Sequence, residues 1–249
     1  MIEQMHLAAQ YLAAAGISFI EKKEDDSHTN LGFSIEEGSL NSRPLNEIGD
    51  RLSLNYQRFE IVWDAKGAKD SFQLDGSTHG NVLEWIKHKV EDASFETPYK
   101  YDLHYDLPYK ISTDYTFELQ DSNRLQDLLH FRILTQLVLE TILHEHDLDS
   151  EIRIWPHHFD TGAFATLNDR GLAVGLGLAI PDNICDDYYL YISGYDENKQ
   201  VVPRNFSPLT YGRWFSDDFK GAVLPVSKAD EKIGVQFFEE AITSFKTLG

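Results

Sequence analysis

The sequence is short of cysteine, of basic residues and of long apolar runs, and each shortage argues against a class of protein. Cys185 is the only cysteine among 249 residues, so no disulfide can form within the chain. The acidic start does not suit a secretory signal, and with the single cysteine it predicts a reducing, cytoplasmic location. The apolar stretch at residues 7–20 is interrupted and is shorter than the roughly 18 to 20 apolar residues of a membrane span. We therefore expect no membrane partner.

Positive charge is also scarce. Lys and Arg total 22 against 41 Asp and Glu, which gives a net charge of −19. Binding to a polyanion depends on clusters of Lys and Arg that release counterions, and the sequence contains no such cluster. We therefore expect no nucleic-acid partner. Hydrophobic residues make up 42% and charged residues 25%, which is typical of a folded globular protein.

The order of predicted elements, a helix, then several strands, then a helix, occurs twice along the chain. In the first half we predict a helix over 2–15 stopped by Gly16, and a last helix capped by Ser77. In the second half a long helix over 122–147 comes first, and Ser227 caps the last helix. The predicted strands are 17–20, 30–35, 52–56, 59–63, 71–74, 152–155, 164–167, 173–180, 188–192 and 221–224.

These elements predict an α+β fold of two pseudo-repeats, each an antiparallel sheet flanked by helices. The halves span residues 1–93 and 121–249, and a tyrosine-rich extended connector spans 94–120 between them. Similar local sequences at 31–35 and 176–180 favour an internal duplication. We expect the halves to pack into one compact unit.

The most unusual stretch is Ile-Trp-Pro-His-His-Phe-Asp at residues 154–160. On an extended backbone, His158 and Asp160 would share one face, and His157 would lie on the other. A His and a carboxylate at this spacing suit an oriented general base or two ligands of a metal ion. The structural alternative is a histidine at a sheet edge that is hydrogen-bonded to an aspartate.

A metal site would need further ligands from earlier in the chain. Iron oxygenases with a His-x-Asp pair use a second histidine downstream, and no histidine follows His158. His104, His130, His144 and His146 are the upstream candidates. His144 and His146 are two residues apart on a predicted helix, so they cannot both ligate one ion on an intact helix. The sequence leaves both the metal and any other cofactor open.

The sequence lacks one common nucleophile motif and one common phosphate-binding motif, but it is rich in aromatic residues. The chain has no Gly-x-Ser-x-Gly elbow and no phosphate-binding loop of the Gly-x-x-x-x-Gly-Lys type. Aromatic side chains with polar tips suit core packing, pockets and interfaces alike. The residues that we expect to line a ligand pocket with His158 and Asp160 are Trp155, His157, Tyr189, Tyr191 and Trp214.

Three motifs in matching order resemble a bacterial family catalogued only as a domain of unknown function. They are Trp-Pro-His-His-Phe-Asp at 155–160, Tyr-Tyr-Leu-Tyr at 188–191 and Gly-Ala-Val-Leu-Pro at 221–225. The part from His28 to the strand at 59–63 resembles the N-terminal part of the same family. The resemblance implies a cytosolic α+β protein, and it supplies no activity, cofactor or catalytic residue.

Two functions follow from these observations as hypotheses. The first is a small-molecule-binding or hydrolytic pocket between the two halves, with His158 and Asp160 as base and orienting group or as metal ligands. The second is a non-catalytic interaction module, in which the aromatic connector at 94–120 and the tyrosine strand at 188–192 form a surface for another protein or for a homo-oligomer.

Overall fold

A computed structural model describes residues 1–167, 171–196 and 199–248, and its fold is α+β. Two antiparallel sheets are flanked by helices, which confirms the predicted fold class. The chain forms two compact units. One comprises Met1–His130 and Ile154–His157, and the other comprises Phe131–Arg153 and His158–Gly249.

None of the helices in the described ranges combines the length and the apolar character that a bilayer crossing requires.

The first unit contains a five-stranded meander in which each strand pairs with the next. Leu40, Leu54 and Ile61 face each other across β2, β3 and β4 and are completely buried. The opposite face of these strands is polar. The elements are α1 (Ile2–Phe19), β1 (Gly32–Ser34), β2 (Ser39–Asn41), β3 (Arg51–Asn55), β4 (Glu60–Ala65), β5 (Ala68–Gln73), α2 (His79–Asp92) and the first part of α3 (Ser122–Glu145).

Helix α1 is buried along thirteen consecutive residues, from Gln4 to Gly16. A helix that is covered on all sides must satisfy its polar side chains inside the protein. Gln10 does so by donating from Nε2 to the Pro156 carbonyl over 2.9 Å, while its Oε1 accepts from the Tyr105 hydroxyl over 2.7 Å. His6 Nε2 lies 2.8 Å from the same Pro156 oxygen.

Residues 94–120, predicted as a connector, belong to the first unit and are bonded to α1 along its length. The Tyr99 hydroxyl donates to the Tyr11 carbonyl over 3.1 Å. Near the start of α1, Gln4 exchanges two hydrogen bonds with the backbone of Glu118. These bonds explain how a segment without regular structure is held in place against the helix.

The second unit contains an antiparallel sheet with strand order β11-β12-β9-β8-β7, and β10 pairs with β9. One face packs on helices α3 and α4 through a core that includes Ile142, Leu176, Ile192 and Phe238. The bounds are β7 (Asp160–Thr166), β8 (Ala173–Ala179), β9 (Tyr189–Asp196), β10 (Lys199–Gln200), β11 (Arg213–Phe215), β12 (Gly221–Pro225) and α4 (Glu231–Lys246), and β6 (Arg153–Trp155) lies where the two units divide.

The structure corrects three predicted element ends. Residues 17–19 continue α1 and are not a strand, and Gly16 lies inside the helix. A side chain there would place its Cβ 2.7 Å from the His28 carbonyl oxygen, so the glycine serves a close approach of two chain segments. Thr78, not Ser77, caps α2 in a capping box. Asp230, not Ser227, caps α4.

The two sheets also differ in their number of strands. An internal duplication stays a prediction.

Candidate functional site

The segment with two histidines is a turn and not an extended strand. Residues 156–159 form the turn between β6 and β7, and Phe159 has φ 62°, in the left-handed region. The extended backbone predicted through residues 154–160 is therefore wrong. His158 is exposed on the turn, the Phe159 ring is completely buried, and Asp160 begins β7.

A buried arginine on α3 holds this turn. The guanidinium of Arg132 donates to the Phe159 carbonyl oxygen and to the Thr161 hydroxyl, on either side of Asp160. Its Cζ also lies 4.6 Å from the centre of the Phe159 ring. Arg132 is only 3% exposed. The residues before and after Asp160 are therefore both held by one rigid guanidinium.

The two oxygens of Asp160 have different environments. Oδ2 accepts a hydrogen bond from the Tyr191 hydroxyl over 3.0 Å. Oδ1 is buried and has no hydrogen-bond partner among the described residues. Burial raises the pKa of Asp160, and this effect outweighs the Tyr191 bond and the charges of His158 and Arg132, which lower it. Asp160 is therefore a carboxyl group that holds its proton more tightly than usual.

Two tyrosines of β9 present their hydroxyls to acidic side chains. Burial, and then the neighbouring Asp160, raise the pKa of Tyr191 well above its ordinary value, so its hydroxyl stays a proton donor. The Tyr189 hydroxyl donates to Asp182 Oδ2 over 2.7 Å, and burial likewise raises its pKa. Tyr189 and Tyr191 are two residues apart on a strand and so share one face of the sheet.

Glycines lie beside Tyr191 across the sheet. Gly177 of β8 is its partner in the register, and Gly162 of β7 is the partner of Gly177. An added Cβ at Gly177 would lie 2.0 Å from the Thr161 carbonyl oxygen. Gly177 and Gly162, the two positions next to Tyr191 on this face of the sheet, therefore carry no side chain.

The remaining residues that we predicted for the site lie elsewhere. Trp155 and His157 belong to the first unit, where the His157 ring lies 5.5 Å from the Tyr105 ring. Trp214 is on the opposite face of the second sheet from Tyr191, because its register partner is Ala222 of the core. Its ring packs 5.6 Å from Phe245. Asp160 and Tyr191 are thus directly bonded, and Trp214 is separate from them.

No group of three or more His, Cys, Asp or Glu side chains within the described ranges is arranged to hold a metal ion. The metal hypothesis therefore has no ligand set there. Arg132 and Asp182 were not among the residues predicted from the sequence. The signal for Arg132 was available, because it lies seven residues after Leu125 on the apolar stripe of α3, where a charged residue must have a buried partner.

We expect the Asp160→Asn variant to be more stable than wild type near neutral pH. A carboxyl group whose folded-state pKa is raised costs stability when it ionises, so the cost of Asp160 grows as pH rises from about 4 through its folded pKa. Asparagine has no such cost and still offers an oxygen to Tyr191. Melting temperatures of both proteins, measured in the same buffers from about pH 4 to pH 8, should diverge as pH rises. A difference that is constant with pH, or that shrinks, would contradict this.

The chain has no match among protein-family models, curated proteins or solved structures. The resemblance noted from its motifs stays a prediction.

Proposed function

We propose that the protein binds a small molecule at Asp160, through a hydrogen bond from the ligand to Oδ1. The observation that supports this most directly is the contrast between the two carboxyl oxygens. Oδ2 has the Tyr191 hydroxyl, and Oδ1 is buried without a donor among the described residues. A ligand with an N–H or O–H group would complete the bonding of Asp160.

The energetic argument is that a buried acceptor without a donor costs about 1 to 3 kcal/mol. Proteins satisfy nearly all such groups, so an unsatisfied one in a rigid setting needs an explanation. Arg132 is bonded to the Phe159 carbonyl oxygen and to the Thr161 hydroxyl, on either side of Asp160, and these two bonds oppose a shift of this turn that would bring a donor to Oδ1. A bound ligand that donates to Oδ1 would recover the cost.

A primary amine in its ammonium form is the ligand chemistry that fits best. The protein carries a net charge of −19, which favours the approach of cations. A cationic ligand would also favour ionised Asp160, and burial, which raises the pKa of this carboxyl group, opposes its ionisation. The affinity for an amine should therefore rise with pH until Asp160 is fully ionised, and then level off.

Hydrolysis is an extension of the same site. A buried carboxyl group whose pKa is raised can exchange a proton with a bound substrate, which is the role of a general acid or base. Asp160 would be the proton-exchanging group and Tyr191 would orient it. His158 is exposed on the turn that precedes Asp160, and its charge lowers the pKa of Asp160.

The interaction-module hypothesis has less support from the described surface. Its large exposed hydrophobic side chains are Ile48, Phe164, Val202 and Leu248, and only Phe164 is aromatic. Tyr189 is buried, and the Trp214 ring packs on the core. Tyr189 and Trp214 thus offer little free surface for a protein partner or a homo-oligomer.

Matched probes test the proposal. We would titrate wild type with primary alkylamines and with the corresponding alcohols, and follow binding by calorimetry and ligand-observed NMR. We expect the amines to bind better, with affinity increasing as pH rises above about 4, the ordinary pKa of an aspartate, through the raised pKa of Asp160. In the Asp160→Asn variant, amine affinity should fall about tenfold or more.

Asp186→Asn is the matched control. It makes the same change of charge in the second unit, at an exposed residue. Equal amine affinities in the two variants, or an affinity that does not depend on pH, would show that Asp160 does not bind the probe.

A further inference from the structure

The polar face of the first unit's sheet contains a cavity of about 420 Å³. Small-molecule sites range from roughly 300 to 1,000 Å³, so this volume is large enough for a ligand. Ser39, Ser53, Glu60 and Ser71 come from four successive strands and line it. They alternate with the apolar residues that face the core of the unit.

The floor of this cavity is recessed. Ser39 is 2% exposed, Ser53 is 8% exposed and Glu60 is 6% exposed. The polar face of an antiparallel sheet is ordinarily solvated, so polar side chains there are usually open to water. Here longer side chains at the rim, including Glu37 and Lys69, surround the floor. The sheet face therefore forms a concave site and not a flat solvated surface.

Four of the five charged residues that line the cavity, all except Glu36, are already paired with each other. Arg58 Nη1 lies 3.3 Å from Glu60 Oε1. Lys69 Nζ is bonded to a Glu37 carboxylate oxygen and lies 3.8 Å from Asp64 Oδ2. A charged ligand would have to compete with these pairs, whereas a neutral ligand leaves them intact.

The uncharged polar groups, in contrast, are available. The hydroxyls of Ser53 and Ser71 and the amide of Gln57 line the cavity and make no hydrogen bond to any other described residue. Val62 lies between the two serines in the register of β3, β4 and β5, on the same face. Two hydroxyls on either side of one apolar side chain suit a ligand with a C–H surface and hydroxyl groups at its edges.

We propose that this cavity binds a neutral polyhydroxylated molecule of the size of a monosaccharide or a cyclitol. Ser53, Ser71 and Gln57 donate to or accept from its hydroxyls, and Val62 contacts its carbon skeleton. The site lies wholly within the first unit, so it does not depend on the amine proposal for Asp160 in the second unit.

Titration with defined probes tests this assignment. D-Glucose, D-mannose and myo-inositol are the neutral probes, and glucosamine and glucose 6-phosphate are the charged ones. We expect saturable binding of at least one neutral probe, with a Kd of about 1 mM or tighter, in calorimetry or NMR titration. The charged probes should bind more weakly. Absence of saturable binding by every neutral probe, or tighter binding of a charged one, would overturn the proposal.

Two variants locate the binding. Ser71→Phe fills the cavity from an exposed strand position, where an aromatic residue is well tolerated. Arg51→Phe makes a similar change at an exposed position of the same sheet outside the cavity lining. Neutral-probe affinity should fall about tenfold or more in Ser71→Phe and stay unchanged in Arg51→Phe. Equal affinities in the two variants, with both folded by circular dichroism, would overturn the assignment.

Asp160→Asn separates this proposal from the first. It should leave sugar or cyclitol binding unchanged, because the residue lies in the other unit. Loss of neutral-probe binding in Asp160→Asn would overturn the assignment to the first unit's sheet.

Discussion

The Gly177→Ala variant should lose about 3 to 5 kcal/mol of stability, enough to unfold many domains at moderate temperature. An alanine Cβ there would lie 2.0 Å from the Thr161 carbonyl oxygen and 2.8 Å from Gly162 Cα. Both atoms are backbone atoms of β7, which pairs with β8 along six residue pairs beginning at Thr161. Backbone atoms cannot rotate away as a side-chain end can, so the two strands would have to separate. Urea denaturation followed by circular dichroism measures the loss.

Gly175→Ala is the control for this expectation. It lies two residues away on the same strand and the same face, and an added Cβ would have its nearest neighbours at 3.6 to 3.7 Å, all of them side-chain atoms. We expect its stability to change by less than about 1 kcal/mol. If Gly177→Ala and Gly175→Ala unfold at the same urea concentration, the close approach of β7 and β8 is not what requires the glycine.

The Arg132→Met variant should lose about 3 kcal/mol. Methionine keeps most of the buried stem but leaves the Phe159 carbonyl and the Thr161 hydroxyl without their present donor. The turn would then lose its anchors on both sides of Asp160. Since the charge of Arg132 also lowers the pKa of Asp160, that pKa should rise further in the variant. Urea denaturation and a carboxyl-detected NMR titration measure the two effects.

Arg124→Met on the same helix provides the comparison. Its side chain is exposed, and its contact with Asp121 is 3.6 Å long and on the surface. Surface ion pairs of this kind contribute roughly 0 to 1 kcal/mol. An Arg132→Met protein as stable as Arg124→Met, with an unchanged Asp160 pKa, would show that the buried guanidinium is not needed to hold the turn.

The fold could be predicted largely because its strands alternate clearly. Leu52 and Leu54 alternate with Ser53 in β3, and Ile61 and Trp63 of β4 are their register partners, so the central strands of the first unit could be predicted from the sequence. Helix ends were less predictable, because Gly16 was interpreted by its conformational freedom. Its actual role is to let α1 approach the backbone of His28, which is a contact between segments that are distant in sequence.

The candidate site was only partly predictable for a similar reason. Asp160 and Tyr191 were chosen for their residue types, and the hydrogen bond between them joins residues 31 apart in the chain. The turn at residues 156–159 was missed because Phe159, a bulky residue, adopts a positive φ that its residue type disfavours. The buried Arg132 compensates for this strain, and no local pattern around Phe159 indicates that partner.

The first unit consists of two chain segments that are separated in the sequence, and this has a consequence for its synthesis on the ribosome. The unit is closed by Ile154–His157: Ile154 exchanges two backbone hydrogen bonds with Leu31, and the Pro156 carbonyl accepts from Gln10 of α1. Gln10 of α1 leaves the ribosome some 140 residues before Pro156, an interval on the order of ten seconds at ordinary rates of translation. During that interval the first unit lacks the contacts made by Ile154 and Pro156, so its fold is completed only after residues 154–157 have been synthesised.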